Sequence, residues 1–482
     1  MVNPSKPHIA LLASPGLGHL IPIVELAKRL VAQHGFTVTV FAVTTGAHQA
    51  ENKLLCSATS SCAGLFSTVA LPNVVNDSLD IDPSAGILPR ILAMVRCTLP
   101  TLRSSISDMK VKPVAIIVDQ FGIEAVKVVA EEFNMLKYVF IASNAWFLAY
   151  LTYLPYLQKR VYPNTPLYIP GCKSIPGGDL LDHTFEPDSR AYRDFVSMGR
   201  DITRVDGIFI NTWEDLEPET LGTFKDGMSL NSIVKVPVYP IGPVIRRPKE
   251  VAKNKLTEWL DDQLDESVIY VSFGSGGTLS TQQTIELAWG LELSKHRFIW
   301  VFRPPTENDS SASLFKSMDK ADESISKCLP NGFLDRTRDR GIIVSKWINQ
   351  EEILQHRSIG GFISHCGWNS VNESIVNGVP LIAWPLYAEQ NMNATMLVED
   401  LGIAIRPKVK PSKGLVRREE IEKMVKFVMD SEGFGLRKRV KDLQISANLA
   451  LKEDGSSYSA LSKVARDCNK KFQSNQPYEK CN

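Results

Sequence analysis

Long apolar runs are missing from this chain of 482 residues, and no stretch approaches the roughly 20 apolar residues that a membrane-spanning helix needs. No intrinsic membrane segment is therefore expected. Nor is a secretory signal, because the apolar stretch after Lys6 is broken by Pro15, Gly16 and Gly18 and no small-residue cleavage site follows. Cysteine is sparse. Its eight positions, Cys56, Cys62, Cys97, Cys172, Cys328, Cys366, Cys468 and Cys481, form no CxxC pair and no disulfide framework, which points to a reducing, cytoplasmic setting. An excess of either charge is lacking too: 54 Lys and Arg face 53 Asp and Glu, for a net charge of +1. Such a balance leaves no electrostatic footprint for nucleic acid or an acidic membrane surface. What is present, 44% hydrophobic and 22% charged residues, suits a globular chain with core enough for more than one domain, expected as a monomer.

Several familiar motifs are absent as well. The first glycine turn gives Gly16 and Gly18 and then Ile21, so the third glycine of a nicotinamide-binding GxGxxG is not there. Phe273 stands where a GxSxG hydrolase around Ser275 would need glycine. Asp80-Ile81-Asp82 has the form of a metal-binding DxD, but Pro83 and the polar surroundings read as a loop, and no metal site is expected.

Short apolar runs alternate with helical stretches along the chain. His8 to Ala13, Thr37 to Val43, Val114 to Val118, Tyr138 to Ala142 and Gly207 to Ile210 read as buried strands, with Leu20 to Val31 as an amphipathic helix after the turn Pro15 to Gly18. The pattern restarts at Val268 to Phe273 and continues through Phe298 to Phe302, Ile342 to Val344, Gly360 to Ser364 and Leu381 to Trp384. This is the grammar of an α/β protein with two doubly wound parallel sheets facing a cleft. The proline- and charge-rich stretch 242–255 is the expected linker between residues 1–241 and 256–456, and 304–327 reads as a surface excursion.

Chemistry concentrates between Trp347 and Gln390. A strand to Ser364 running into a helix over Gly367 to Val376 makes an anion site, where unpaired backbone N–H groups and the side chains of His365, Asn369 and Ser370 point at a phosphate. Glu373 further along the helix can accept ribose hydroxyls, although alone it would read as a solvated face. Trp347 offers a face for a base, a stacking contact worth ~1–3 kcal/mol. Glu389 and Gln390 follow the next strand, where a carboxylate and an amide can read sugar hydroxyls. Trp384 reads as core. In the first half, His19 after the turn SPGLGHL and Asp119 in VDQFG both sit at carboxyl ends of strands, where ligands of open α/β sheets bind. Taken singly, each would more often be a helix cap or structural residue. Ser275, in the Gly-rich SFGSGG, is either a phosphate contact or a plain turn.

The window WINQEEILQHRSIGGFISHCGWNSVNESIVNGVPLIAWPLYAEQ, 44 residues from Trp to Gln, resembles the nucleotide-sugar signature box of plant UDP-dependent glycosyltransferases. The resemblance implies the GT-B architecture of two Rossmann-like domains, with residues 457–482 forming a helix that returns to the first domain. It further implies that Trp347 stacks on uracil while the Ile348 backbone bonds its edge, and that Gln350 and Glu373 hold the ribose. His365, Asn369, Ser370, Ser275 and Gly18 go with the phosphates, and Trp368, Glu389 and Gln390 with the hexose. Two departures are WINQ for the usual WAPQ, and Glu389 for the commoner Asp. A closing Gln goes with glucose, so UDP-glucose is the implied donor co-substrate, with no prosthetic group and no metal. His19 is the implied general base and Asp119 its orienting partner. A phenol lies about 3.5 pKa units above free imidazole, a deficit of about 5 kcal/mol, so a carboxylate stabilising the imidazolium matters. Attack opposite the leaving UDP inverts the anomeric carbon.

SFGSGGTLS, NTWEDLE, VFRPP and PLYAEQNMNATML are similar to the subgroup of hydroquinone and monolignol glucosyltransferases, which implies small aromatic acceptors. Ile87, Leu88, Phe121, Trp146, Phe147 and Tyr150 are the expected acceptor wall. Where that subgroup often carries Glu, this chain reads AGILPR. A freer acceptor pose lets a phenolate attack through ring carbon, so C-glycosylation of flavones beside O-glycosylation of simple phenols is expected. The alternatives are a strict phenol or monolignol O-glucosyltransferase and, in another class, a non-catalytic nucleotide-sugar binder.

Overall fold

Apolar strands buried on both faces need helices above and below, and this chain meets that need twice. The computed structural model describes residues 6–475 except 45–48, 62–63, 73–85, 158–159, 247–253, 308–324 and 347. The first sheet holds β1 (His8–Ala13), β2 (Thr37–Val43), β3 (Phe66–Leu71), β4 (Ala115–Asp119), β5 (Leu136–Ile141), β6 (Gly207–Ile210) and β7 (Val238–Pro240) in the order β3-β2-β1-β4-β5-β6-β7. The second holds β8 (Val268–Ser272), β9 (Arg297–Val301), β10 (Gly341–Val344), β11 (Ile359–Ser364), β12 (Leu381–Ala383) and β13 (Ala404–Ile405) in the order β10-β9-β8-β11-β12-β13. Every pairing in both sheets is parallel.

The strand orders position the chemistry. Connections leave in opposite directions on either side of the β1/β4 pair and again on either side of β8/β11, so a crevice opens at the carboxyl ends of both pairs. His19 follows β1 and Asp119 ends β4; Ser275 follows β8 and His365 follows β11. Gly16 takes φ 99, a conformation that favours glycine, and caps a helix that already begins at Leu17 and runs to His34. His19 thus lies in the first helical turn rather than before the helix.

The two halves interlock through side chains. NTWEDLE is one hub: the Asn211 carbonyl accepts from Trp368 Nε1 at 2.6 Å and Asn372 Nδ2 at 3.3 Å, and Trp213 Nε1 donates to Ser446 Oγ at 2.9 Å. The last helix, Ser456–Ser474, buries Leu461, Val464 and Cys468 in the same apolar cluster as Ile9 and Leu11 of β1, and so lies on the first sheet. A second hub is Asp179, 2% exposed, which accepts from Thr395 Oγ1 at 2.8 Å and pairs with Arg406 at 2.9 Å and Lys410 at 2.5 Å. Asp179→Ala leaves two cations facing each other with about a third of their surface still in water, at 27% and 33% exposure. The expected cost is about 2–3 kcal/mol, the low side for removing one partner of a buried pair. Thermal melting should show a midpoint lower by several degrees; an unchanged midpoint would make this contact incidental.

Candidate active site

Asp119 is fully buried and accepts four hydrogen bonds: from Ser14 N at 2.7 Å, Ser14 Oγ at 2.5 Å, and Phe121 N and Gly122 N at 3.1 Å each. The same carboxylate lies 3.4 Å from His19 Nδ1. It is both a turn cap and the neighbour of the imidazole, so the two readings of this residue are one arrangement. His19 Nδ1 is buried and lies off the hydrogen-bond line to Asp119, while the ring stays 20% exposed with Phe121 4.9 Å away, centroid to centroid. His19 forms part of a cavity of about 630 Å³. Catalytic hydrogen bonds that are long without substrate commonly tighten when it binds.

Across this cavity stands the strand-to-helix junction after β11. The helix Trp368–Val376 has no side chain capping its N-terminus, so its first backbone N–H groups and positive dipole end are available to an anion. His365 is buried with Nδ1 unpartnered, and burial lowers its pKa to about 4, with the nearby Arg303 charge adding to the shift. It is therefore a neutral donor or acceptor. Its ring occupies the space where a Cβ on Gly274 or Gly367 would stand, and Gly274 also has φ +75, so both positions exclude a side chain. Ser370 Oγ and Glu373 Oε2 both accept from Gln350 Nε2, at 2.7 and 2.6 Å, which locks the amide and leaves the serine proton free to donate. Burial pushes Glu373 up to about 7. Beside it, burial and the Glu373 charge push Glu351 up to about 10. Glu351, with both oxygens buried and unpartnered, holds its proton at neutral pH.

Hydrogen bonds cross between the two halves at the cavity. Ser143 Oγ donates to Glu389 Oε1 at 3.2 Å, and Asn369 Nδ2 donates to the Gly18 carbonyl at 2.8 Å. Gln390 Oε1 accepts from Leu386 N at 2.9 Å and Tyr387 N at 3.1 Å, fixing the amide with its NH₂ to spare. The indole N–H of Trp368 is committed to the Asn211 carbonyl, so it is not free to bind a sugar hydroxyl.

The structure brings together His19, Gly18, Ser275, Ile348, Gln350, His365, Trp368, Asn369, Ser370, Glu373, Glu389 and Gln390 around one cavity, with Ile87, Leu88, Phe121 and Phe147 on its apolar side. Asp119 stands directly behind His19. Trp146 and Tyr150 are set apart. The helix Ala145–Tyr153 is apolar on every side, so both are core, Tyr150 bonding Thr184 Oγ1 at 2.7 Å. Trp347 and Asp80-Ile81-Asp82 lie outside the described residues. Trp384 is fully buried, packed edge-on against Phe273. Sequence reading missed Leu181, His183 and Phe195 on the apolar side; the His183 and Phe195 rings stack at 3.9 Å. No motif marks them, since they come from irregular chain and a helix far from the strand ends. Among the described residues, no group of three His, Cys, Asp or Glu side chains is placed to hold a metal ion.

The model of a family described as UDP-glucoronosyl and UDP-glucosyl transferase matches residues 236–435. Anthocyanidin 3-O-glucosyltransferase 5 of Manihot esculenta is 47% identical over 97% of this chain and 96% of its own length. Hydroquinone glucosyltransferase of Rauvolfia serpentina is 43% identical, over 95% of this chain and 97% of its own. Among solved structures, TcCGT1 in complex with UDP superposes with a TM-score of 0.91 at 45% identity, covering 97% of this chain and 100% of that one.

Proposed function

Because the chain belongs to the UDP-glycosyltransferase family, we propose that it transfers glucose from UDP-glucose to phenolic acceptors with inversion, and to a ring carbon of polyhydroxylated flavones. The observation that carries this reading is the single cavity shared by His19 at one sheet's switch point and the anion-binding helix terminus at the other's. Two similar proteins bear the names of anthocyanidin and hydroquinone glucosyltransferases, which supports a flavonoid or phenol acceptor. In the donor site Gln350 and Glu373 take the ribose hydroxyls. We further divide the chain at the linker 242–255, with acceptor binding before it and donor binding after.

The reaction follows from these groups. His19 Nε2 takes the phenolic proton, Asp119 stabilises the imidazolium, and the phenolate oxygen bonds the anomeric carbon while the bond to the diphosphate oxygen breaks with its electron pair leaving on UDP. A phenolate also carries charge on the ring carbon beside it. If that carbon faces the anomeric centre, the carbon–carbon bond forms there and the ring loses the hydrogen as a proton. Ile87, half-buried in the cavity wall, offers no carboxylate to hold an acceptor hydroxyl in the oxygen-attacking pose.

The test is to incubate the protein with UDP-glucose and either a simple phenol or a polyhydroxylated flavone, then to heat the products in acid. O-glucosides should hydrolyse and a flavone C-glucoside should survive; a wholly hydrolysed flavone product identifies a strict O-glucosyltransferase. UDP release with free glucose and no glucoside would mean hydrolysis of the donor in place of transfer to phenols, and no turnover at all would leave only a binder. Ile87→Glu should shift the flavone product from C- toward O-glucoside. An unaltered ratio would show that this position does not set the pose.

A further inference from the structure

Three basic side chains of the Lys and Arg type line the cavity: Arg246, Arg303 and Lys413. Two of them have acids at hand. Lys413 Nζ lies 3.8 Å from Asp182 Oδ1, and Arg246 acts on Glu351 and Glu373 at the ribose end. Arg303 is different. Among the described residues no carboxylate is within ion-pair reach of it, and its one hydrogen bond runs from Nη1 to the Ser275 carbonyl at 2.6 Å. Desolvation lowers its pKa to about 10, which still leaves it protonated at neutral pH. The guanidinium is half-buried in the cavity wall, and a partly desolvated cation with no counter-charge among the described residues favours an anion beside its remaining N–H groups.

The surroundings identify that acceptor. Arg303 lies just past β9, bonded to the loop after β8, and its charge is felt by His365 at the head of the anion-binding helix. Every other donor at this end is neutral: His365, Asn369, Ser370, Ser275 and backbone N–H groups. A sugar nucleoside diphosphate is already a dianion, and the nucleoside diphosphate gains a further charge when the glycosidic bond breaks. Neutral donors and a half-charge of helix dipole do not balance it.

We propose that Arg303 is a catalytic residue of the transfer: its free N–H groups contact the diphosphate of the donor and supply the fixed positive charge that receives the leaving group. The step is balanced by groups already described. The electron pair of the breaking bond between the anomeric carbon and the diphosphate oxygen stays on that oxygen, beside Arg303, while the acceptor proton goes to His19. This rests on the donor-site reading given under the proposed function.

The test compares UDP with uridine, which shares the base and ribose and lacks the diphosphate. Calorimetric titration of the full chain should show Arg303→Met weakening UDP by about 10- to 100-fold, the loss of a charge-assisted contact, with uridine affinity unchanged. Arg303→Lys should keep part of the UDP affinity, and kcat should fall in the same order. Equal losses for UDP and uridine, or no loss for UDP in either variant, would overturn the role and leave the donor site standing. A wild-type protein that binds neither molecule would remove the donor site and this inference together.

Discussion

His19→Ala lowers transfer to an unactivated phenol by about 10²- to 10⁴-fold, the usual contribution of a positioned general base, and leaves UDP affinity unchanged. The reason is local. His19 sits at the β1/β4 switch point on one side of the cavity, whereas the helix Trp368–Val376, with its uncapped N-terminus, follows β11 in the other sheet. Removing the imidazole takes away a proton acceptor without touching a diphosphate donor. The deficit should shrink with acceptors of low pKa, such as nitrophenols, because these are already ionised in part. Steady-state rates against a series of substituted phenols measure this directly. A variant with full turnover on phenols of ordinary pKa would remove the base from the reaction, and a parallel loss of UDP binding would mean that the substitution disturbed the fold.

The second large effect falls on Asp119→Asn. The amide keeps the shape but loses the charge that stabilises the imidazolium, so transfer should fall by up to about 10⁴-fold, the scale of the same change in a Ser-His-Asp triad. The carboxylate also accepts from Ser14 N and Oγ and from Phe121 and Gly122 N–H. One amide oxygen cannot serve all of these. Each buried donor left unsatisfied costs about 1–3 kcal/mol, so Asp119→Ala should be distinctly less stable than Asp119→Asn. Activity and melting temperature measured on both variants separate the roles. If the Asp119→Asn variant retains full activity, the negative charge is unimportant and Asp119 is a turn cap alone.

How much of this was legible beforehand depended on whether a residue's role is local or assembled from distant segments. Inner strands such as β1, β4, β8 and β11 are buried on both faces, so they read as continuous apolar runs, and their ends place His19, Asp119, Ser275 and His365. The strands that went unread, β3, β7 and β13, are outer members of their sheets; β3 buries only its two end residues, Phe66 and Leu71, and β13 is two residues long. The donor box was readable because its residues are close in sequence. The acceptor wall was less so. Trp146 and Tyr150 were plausible aromatics but point into the core, while Leu181 and His183 reach the cavity from irregular chain and Phe195 from an amphipathic helix, Arg190–Ile202, that no motif ties to the strand ends. Asp179 shows the same limit. A lone Asp after two glycines gives no hint of the buried contacts it makes with Thr395, Arg406 and Lys410 more than two hundred residues later.

The most direct test is a crystal structure of the protein with UDP and a bound phenol. The account predicts the phenolic oxygen within about 3 Å of His19 Nε2, uridine beside Ile348, Gln350 and Glu373, and the diphosphate at the start of the Trp368–Val376 helix. A nucleotide seated elsewhere, or a phenol held out of reach of the imidazole by the width of the cavity, would contradict it.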